Sequence, residues 1–94
     1  MYVAGAAYGR HVGELSAAEW AVLAFEAEHP EPGPRKNEAI RLQLQLSPGR
    51  YYQVLERLAD SVEALRADPV LIHRVQRVRE ERARARQQQS APSA

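Results

Sequence analysis

The chain has no cysteine, so disulfide frameworks and thiolate metal sites are excluded and a cytoplasmic setting is the default. It has no long apolar run either. Nothing approaches the roughly 20 apolar residues of a membrane span, and the first residues lack the charged start and apolar stretch of a signal peptide. Glycine is scarce and sits in the wrong place for a phosphate-cradling loop: Gly5, Gly9 and Gly13 cluster at the N-terminus instead of between a strand and a helix. The three histidines, His11, His29 and His73, have no partner at triad or metal-ligand spacing. Glu80 and Glu81 are neighbours on a helix, not facing carboxylates. Catalysis needs convergent polar groups with shifted pKa values, so the expectation is a protein that is not an enzyme and has no cofactor or metal.

Net charge is small, +1, but unevenly placed. Residues 1–34 hold one Arg against five Glu, a net of −4, and residues 35–94 hold twelve Lys and Arg against seven Asp and Glu, a net of +5. An acidic cap on a basic, anion-facing half follows from that split. Ninety-four residues make one small domain with a single core.

What is present centres on residues 46–58, LSPGRYYQVLERL. Ser47 is a helix cap and Pro48 a first helical residue, whose missing N–H is of no consequence there. Tyr51, Val54, Leu55 and Leu58 recur at i, i+3, i+4 and i+7, one buried face of a helix. Arg50, Gln53 and Arg57 keep the same spacing on the other side, beside Gly49, Tyr52 and Glu56. Just upstream, EAIRLQLQL supplies a short helix with Ile40 and Leu44 inward, and the spacing is that of a helix-turn-helix over residues 35–60. Two positions depart from the usual DNA-binding pattern. Arg41 stands where a small residue is common and must reach outward, and Gln45 stands where the turn usually has Gly, which requires a left-handed glutamine.

Elsewhere the expected order is a disordered arm (1–14), a helical domain (15–86) and a disordered tail (87–94). The first helix runs over 17–28, opened by the Ser16/Glu19 capping box and a Leu15–Trp20 staple. Trp20, Leu23, Ala24 and Ala27 form its buried stripe, with Phe25 at the margin, and Glu26 and Glu28 lie on a solvated face. PEPGP (30–34) is a stiff linker. Pro34 or Arg35 opens the second helix, and Arg35, Lys36 and Arg41 put positive charge on the element that crosses the phosphate backbone in helix-turn-helix docking. After the third helix, Asp60 or Ser61 caps a short turn, and Asp68-Pro69 launches the last helix. Its Leu71, Val75, Val78 seam packs on the domain or pairs with a second copy. Arg74, Arg77, Arg79, Arg82, Arg84 and Arg86 follow, opposed only by Glu80 and Glu81.

The words LSPGRYYQVLERL and EALRADPVLIHRVQRVR resemble a small actinobacterial family of short helix-turn-helix proteins without an assigned function. The resemblance covers about half the chain and leaves out the arm and the PEPGP linker. It implies a short cytoplasmic regulator or nucleoid-associated protein and no enzyme.

The expected fold is therefore all-α, about four helices with a helix-turn-helix. The expected function is binding of double-stranded DNA: the third helix enters the major groove with Arg50, Tyr52, Gln53 and Arg57 near bases or phosphates. Ser47 and the helix N-terminus hold a phosphate, Arg35 and Lys36 lie along the backbone, and the arginine-rich last helix adds sequence-independent contacts. A homodimer is expected to extend the site. The competing reading is a protein-binding adaptor that touches RNA polymerase, as sigma-factor fragments do.

Overall fold

A computed structural model describes residues 14–90; the remainder of the expected arm and the last four residues lie outside the described part. The described residues are all-α. Five helices follow one another: α1 (Ala17–Glu28), α2 (Pro34–Ala39, extended by a π-turn over Ile40–Leu44), α3 (Pro48–Ala59), α4 (Val62–Ala67) and α5 (Pro69–Ser90). No described helix is long and apolar enough to cross a membrane.

Local chemistry explains the boundaries. The capping box at α1 forms in both directions: Ser16 Oγ accepts from the Glu19 N–H at 3.1 Å, and the Ser16 N–H donates to the Glu19 carboxylate at 2.8 Å. Gly33 precedes α2 at φ 143°, a conformation that L side chains rarely adopt, and Pro34 then takes the first helical position. Ser61 caps α4 by accepting from the Ala64 N–H, and Asp68 caps α5 by accepting from the Leu71 N–H, each at 3.1 Å.

The second helix does not finish as an α-helix. Its π-turn widens the last turn, so Ile40 is fully buried while Arg41 and Leu42 face out. Arg41 reaches Glu38 at 3.7 Å along the surface. Gln45 closes the turn at φ 58°, ψ 36°, its N–H donating to the Arg41 carbonyl at 3.1 Å. That is the left-handed glutamine the sequence requires, serving as a helix C-cap.

The core joins Val22, Leu23 and Phe25 of α1, Ile40, then Tyr51, Val54, Leu55 and Leu58 of α3, with Leu71 and Ile72 of α5. The α3 face is the one its periodicity indicates. On α1 the expected stripe is wrong by roughly a third of a turn, at 100° per residue: Trp20 is 52% exposed, Ala24 and Ala27 face solvent, and Glu26 is buried. The observed orientation buries Val22, Leu23 and Phe25 together and brings Glu26 to Lys36 and Tyr51 of the neighbouring helices. The α5 seam packs on its own domain through Leu71 and half of Val75, and only Val78 is left at the margin. A tail disordered from residue 87 is also corrected, because α5 continues to Ser90. Ala, Arg and Gln are strong helix formers, and no Gly or Pro interrupts them before Pro92.

Candidate nucleic-acid interface

Ser47 Oγ accepts from the Arg50 N–H at 3.1 Å and starts α3. With Tyr51, Val54, Leu55 and Leu58 turned inward, the opposite side exposes Arg50, Gln53, Glu56 and Arg57. Arg50 Nη1 donates to Gln53 Oε1 at 3.3 Å, so the two side chains lie side by side along the helix. Tyr52 is half-buried at the flank of this face, its ring edge-on to Tyr51 at 5.0 Å. Arg35 is exposed at the start of α2.

Lys36 is not part of any exposed interface. It is 5% exposed, and its Nζ donates to Glu26 Oε1 at 2.8 Å. The same carboxylate oxygen accepts from the Tyr51 hydroxyl at 2.5 Å. One carboxylate thus ties α1, α2 and α3 together, with Lys36 Nζ lying 5.7 Å from the Tyr51 ring centroid and 5.5 Å from that of Tyr52. Burial, reinforced by the hydrogen bond to Glu26, pushes the Tyr51 hydroxyl well above the ordinary tyrosine pKa. A lysine beside an exposed arginine reads as surface in sequence. It is drawn inward because Glu26 would otherwise be a buried charge without a counter-ion.

The arginines of α5 divide. Arg74 is half-buried and donates to the Glu26 carbonyl at 3.4 Å. Arg79 is committed to the body of the protein: Nη2 reaches Asp60 Oδ1 at 3.1 Å and Nη1 reaches Glu56 Oε1 at 3.3 Å. The Asp60 hydrogen bond, then that of Glu56, raises the Arg79 pKa further. Arg74 and Arg79 are thus held by internal partners, and Arg79 offsets the Glu56 carboxylate on the exposed face of α3. Arg77, Arg82, Arg84 and Arg86 are exposed. Arg77 and Arg84, seven residues apart, share one side of α5, whereas Arg74, Arg79, Arg82 and Arg86 share the other.

That second side of α5 borders a cleft of about 340 Å³, closed opposite by α3 and by the Pro30–Pro32 stretch of the linker. Val75, Val78, Leu55 and Tyr52 form its apolar floor. Among the described residues no three His, Asp or Glu side chains gather as a metal site.

The Glu26, Lys36 and Tyr51 cluster escaped the sequence because its members are ten and twenty-five residues apart. One signal was there. Glu26 falls at i+4 from Val22 and i+3 from Leu23, on the face that proves to be inside, and a buried tyrosine hydroxyl needs a partner.

These features define a small helix-turn-helix domain with a long basic C-terminal helix. The chain belongs to the family described as "Protein of unknown function (DUF3263)", which matches residues 14–87. The PEPGP linker, outside the words that carried the resemblance, lies within that match. No curated protein and no solved structure matches the chain.

Proposed function

We propose that this protein binds duplex DNA, as a transcription regulator or nucleoid-associated protein of the actinobacterial cytoplasm, and performs no catalysis. The observation that carries this reading is the exposed Arg50, Gln53 and Arg57 face of α3, presented by a left-handed turn after a short helix. Arg pairs bidentately with guanine and Gln with adenine, and both side chains are long enough to reach base edges from a helix lying in the major groove. Ser47 and the first amides of α3 suit a phosphate. Arg35 on α2 and Arg77, Arg82, Arg84 and Arg86 on α5 suit the backbone, which supplies affinity without sequence preference.

Binding of the Arg50→Ala, Gln53→Ala double variant to random and selected duplexes tests this. Each lost base contact is expected to weaken selected binding by ~1–3 kcal/mol, with the helical circular dichroism unchanged. Unaltered affinity in the folded variant removes the reading.

A second reading is favoured by one feature, the exposed Trp20 on an acidic first helix. An exposed tryptophan suits a protein contact, which fits an adaptor of the transcription machinery that touches RNA polymerase. Saturable, DNA-independent binding to purified polymerase, lost in Trp20→Ser, distinguishes it.

A further inference from the structure

On the exposed face of α3 the side chains that can accept a hydrogen bond already do so from arginines of the same chain. Arg50 Nη1 donates to Gln53 Oε1 and Arg79 Nη1 to Glu56 Oε1, each at 3.3 Å, and Arg79 Nη2 donates to Asp60 Oδ1 at 3.1 Å. An arginine only donates. The end of the Gln53 amide that meets Arg50 is therefore its oxygen, and Nε2 with its two N–H groups is the end turned away. At 100° per residue, Arg50 and Arg57 lie ~40–60° to one side of Gln53 and Glu56 lies ~60° to the other. Arg79 thus holds the carboxylate on the α5 flank, where Glu56 and Tyr52 line the cleft. What remains on the Arg50, Gln53, Arg57 strip is a row of N–H groups whose one acceptor is engaged.

That pattern selects among bases. A glutamine reads adenine by accepting from the N6 amino group at Oε1 while Nε2 donates to N7. Here a guanidinium stands against Oε1, so an adenine N6 or cytosine N4 amino group would bring its hydrogens up to a positive charge. Guanine presents acceptors at both N7 and O6 and no donor beside them in the major groove. Arg50 spends one N–H on Gln53 and keeps others for a base of its own. Three residues of helix rise ~4.5 Å, against ~3.4 Å per base along one strand, so the two side chains address neighbouring bases.

We infer that Arg50 and Gln53 act as one donor unit that reads two adjacent guanines on the same strand, Arg50 turning Gln53 from an adenine reader into a guanine reader. The inference rests on the DNA-binding reading above and supplies the base preference that reading leaves open.

The test is selection from a pool of random duplexes by the full chain, repeated with Arg50→Ala and Gln53→Ala. Both positions are exposed, and circular dichroism checks the fold. Wild type should enrich a site with adjacent guanines, and 7-deazaguanine, which lacks the N7 acceptor, should weaken binding at either position by ~tenfold. Arg50→Ala frees Gln53 Oε1, so one of the two guanines should be replaced by adenine. Gln53→Ala should keep one guanine and accept any base beside it, and it decides the matter if Arg50→Ala binds too weakly to select. Duplex binding with no enrichment, with adenine at the contacted step, or with both guanines retained in either variant overturns the inference and leaves DNA binding standing. Failure to bind any duplex overturns both.

Discussion

Lys36 and Tyr51 meet on one oxygen: Glu26 Oε1 accepts from the lysine at 2.8 Å and from the tyrosine hydroxyl at 2.5 Å, inside the core. Every buried side-chain polar atom among the described residues has a partner, so the cluster is closed. Its consequence is asymmetric. A satisfied buried pair contributes little net stability, but loss of one member leaves the others desolvated and unpaired.

Glu26→Ala should therefore destabilise the protein by ~3–5 kcal/mol, much of what a small domain has. Tyr51→Phe should lose only ~1 kcal/mol, and Glu26→Leu with Lys36→Met should lose less than the sum of the single changes. Urea denaturation of the full cycle measures this. Strictly additive losses would show that the three groups do not act together.

Tyr51 also sets a pH dependence. An unfolded tyrosine ionises near its usual 10.0, and in the folded protein burial and Glu26 hold the proton on well above that. Because the folded pKa is the higher one, the contribution is fully present below pH 10 and declines as pH rises beyond it, by ~1.4 kcal/mol per pH unit. The ~1 kcal/mol stability advantage of wild type over Tyr51→Phe should therefore shrink above pH 10 and reverse in sign before pH 11.5. A constant difference across that range would mean that Tyr51 ionises without unfolding.

Gln45 carries the strain of the turn. Its left-handed backbone costs a non-glycine residue ~1–2 kcal/mol, partly offset by the extra freedom glycine has when unfolded. Gln45→Gly should raise stability by ~0.5–1 kcal/mol, and Gln45→Val, β-branched, should lower it. Thermal melts of the pair decide the matter. A glycine variant that melts below wild type would place the Gln45 side chain in a stabilising contact.

The exposed end of α5 can be removed without disturbing Arg79. If Arg82, Arg84 and Arg86 each neutralise a phosphate at ~0.9 units apiece, truncation after Glu81 should flatten the slope of log affinity against log salt by up to ~2.7. Affinity for random and selected duplexes should fall together, leaving any preference due to Arg50 and Gln53 intact. An unchanged slope would assign the arginines to solvent.

The local elements were legible in the sequence because their signals are local. A serine cap three residues from its N–H, a proline at a first turn and an i, i+3, i+4, i+7 stripe define α1, α3 and the start of α5 without reference to anything distant. The exposed Arg50, Gln53 and Arg57 face follows from the same periodicity, since burying Tyr51, Val54, Leu55 and Leu58 leaves the opposite side no choice. The left-handed turn at Gln45 followed from the spacing of the two helices around it.

Tertiary structure decided the rest. On α1 two stripes compete, and periodicity alone cannot tell the alanine and tryptophan side from the side bearing Val22, Phe25 and Glu26. The choice depends on Lys36 and Tyr51, residues on other helices that make a buried carboxylate affordable. Likewise six arginines in one helix look alike in sequence, yet Asp60 and Glu56 hold Arg79, the Glu26 carbonyl takes Arg74, and the α3–α5 cleft borders Arg82. Charge and helical period are properties of a segment. Which charge is paired, and which face is covered, depends on what the other helices bring to it.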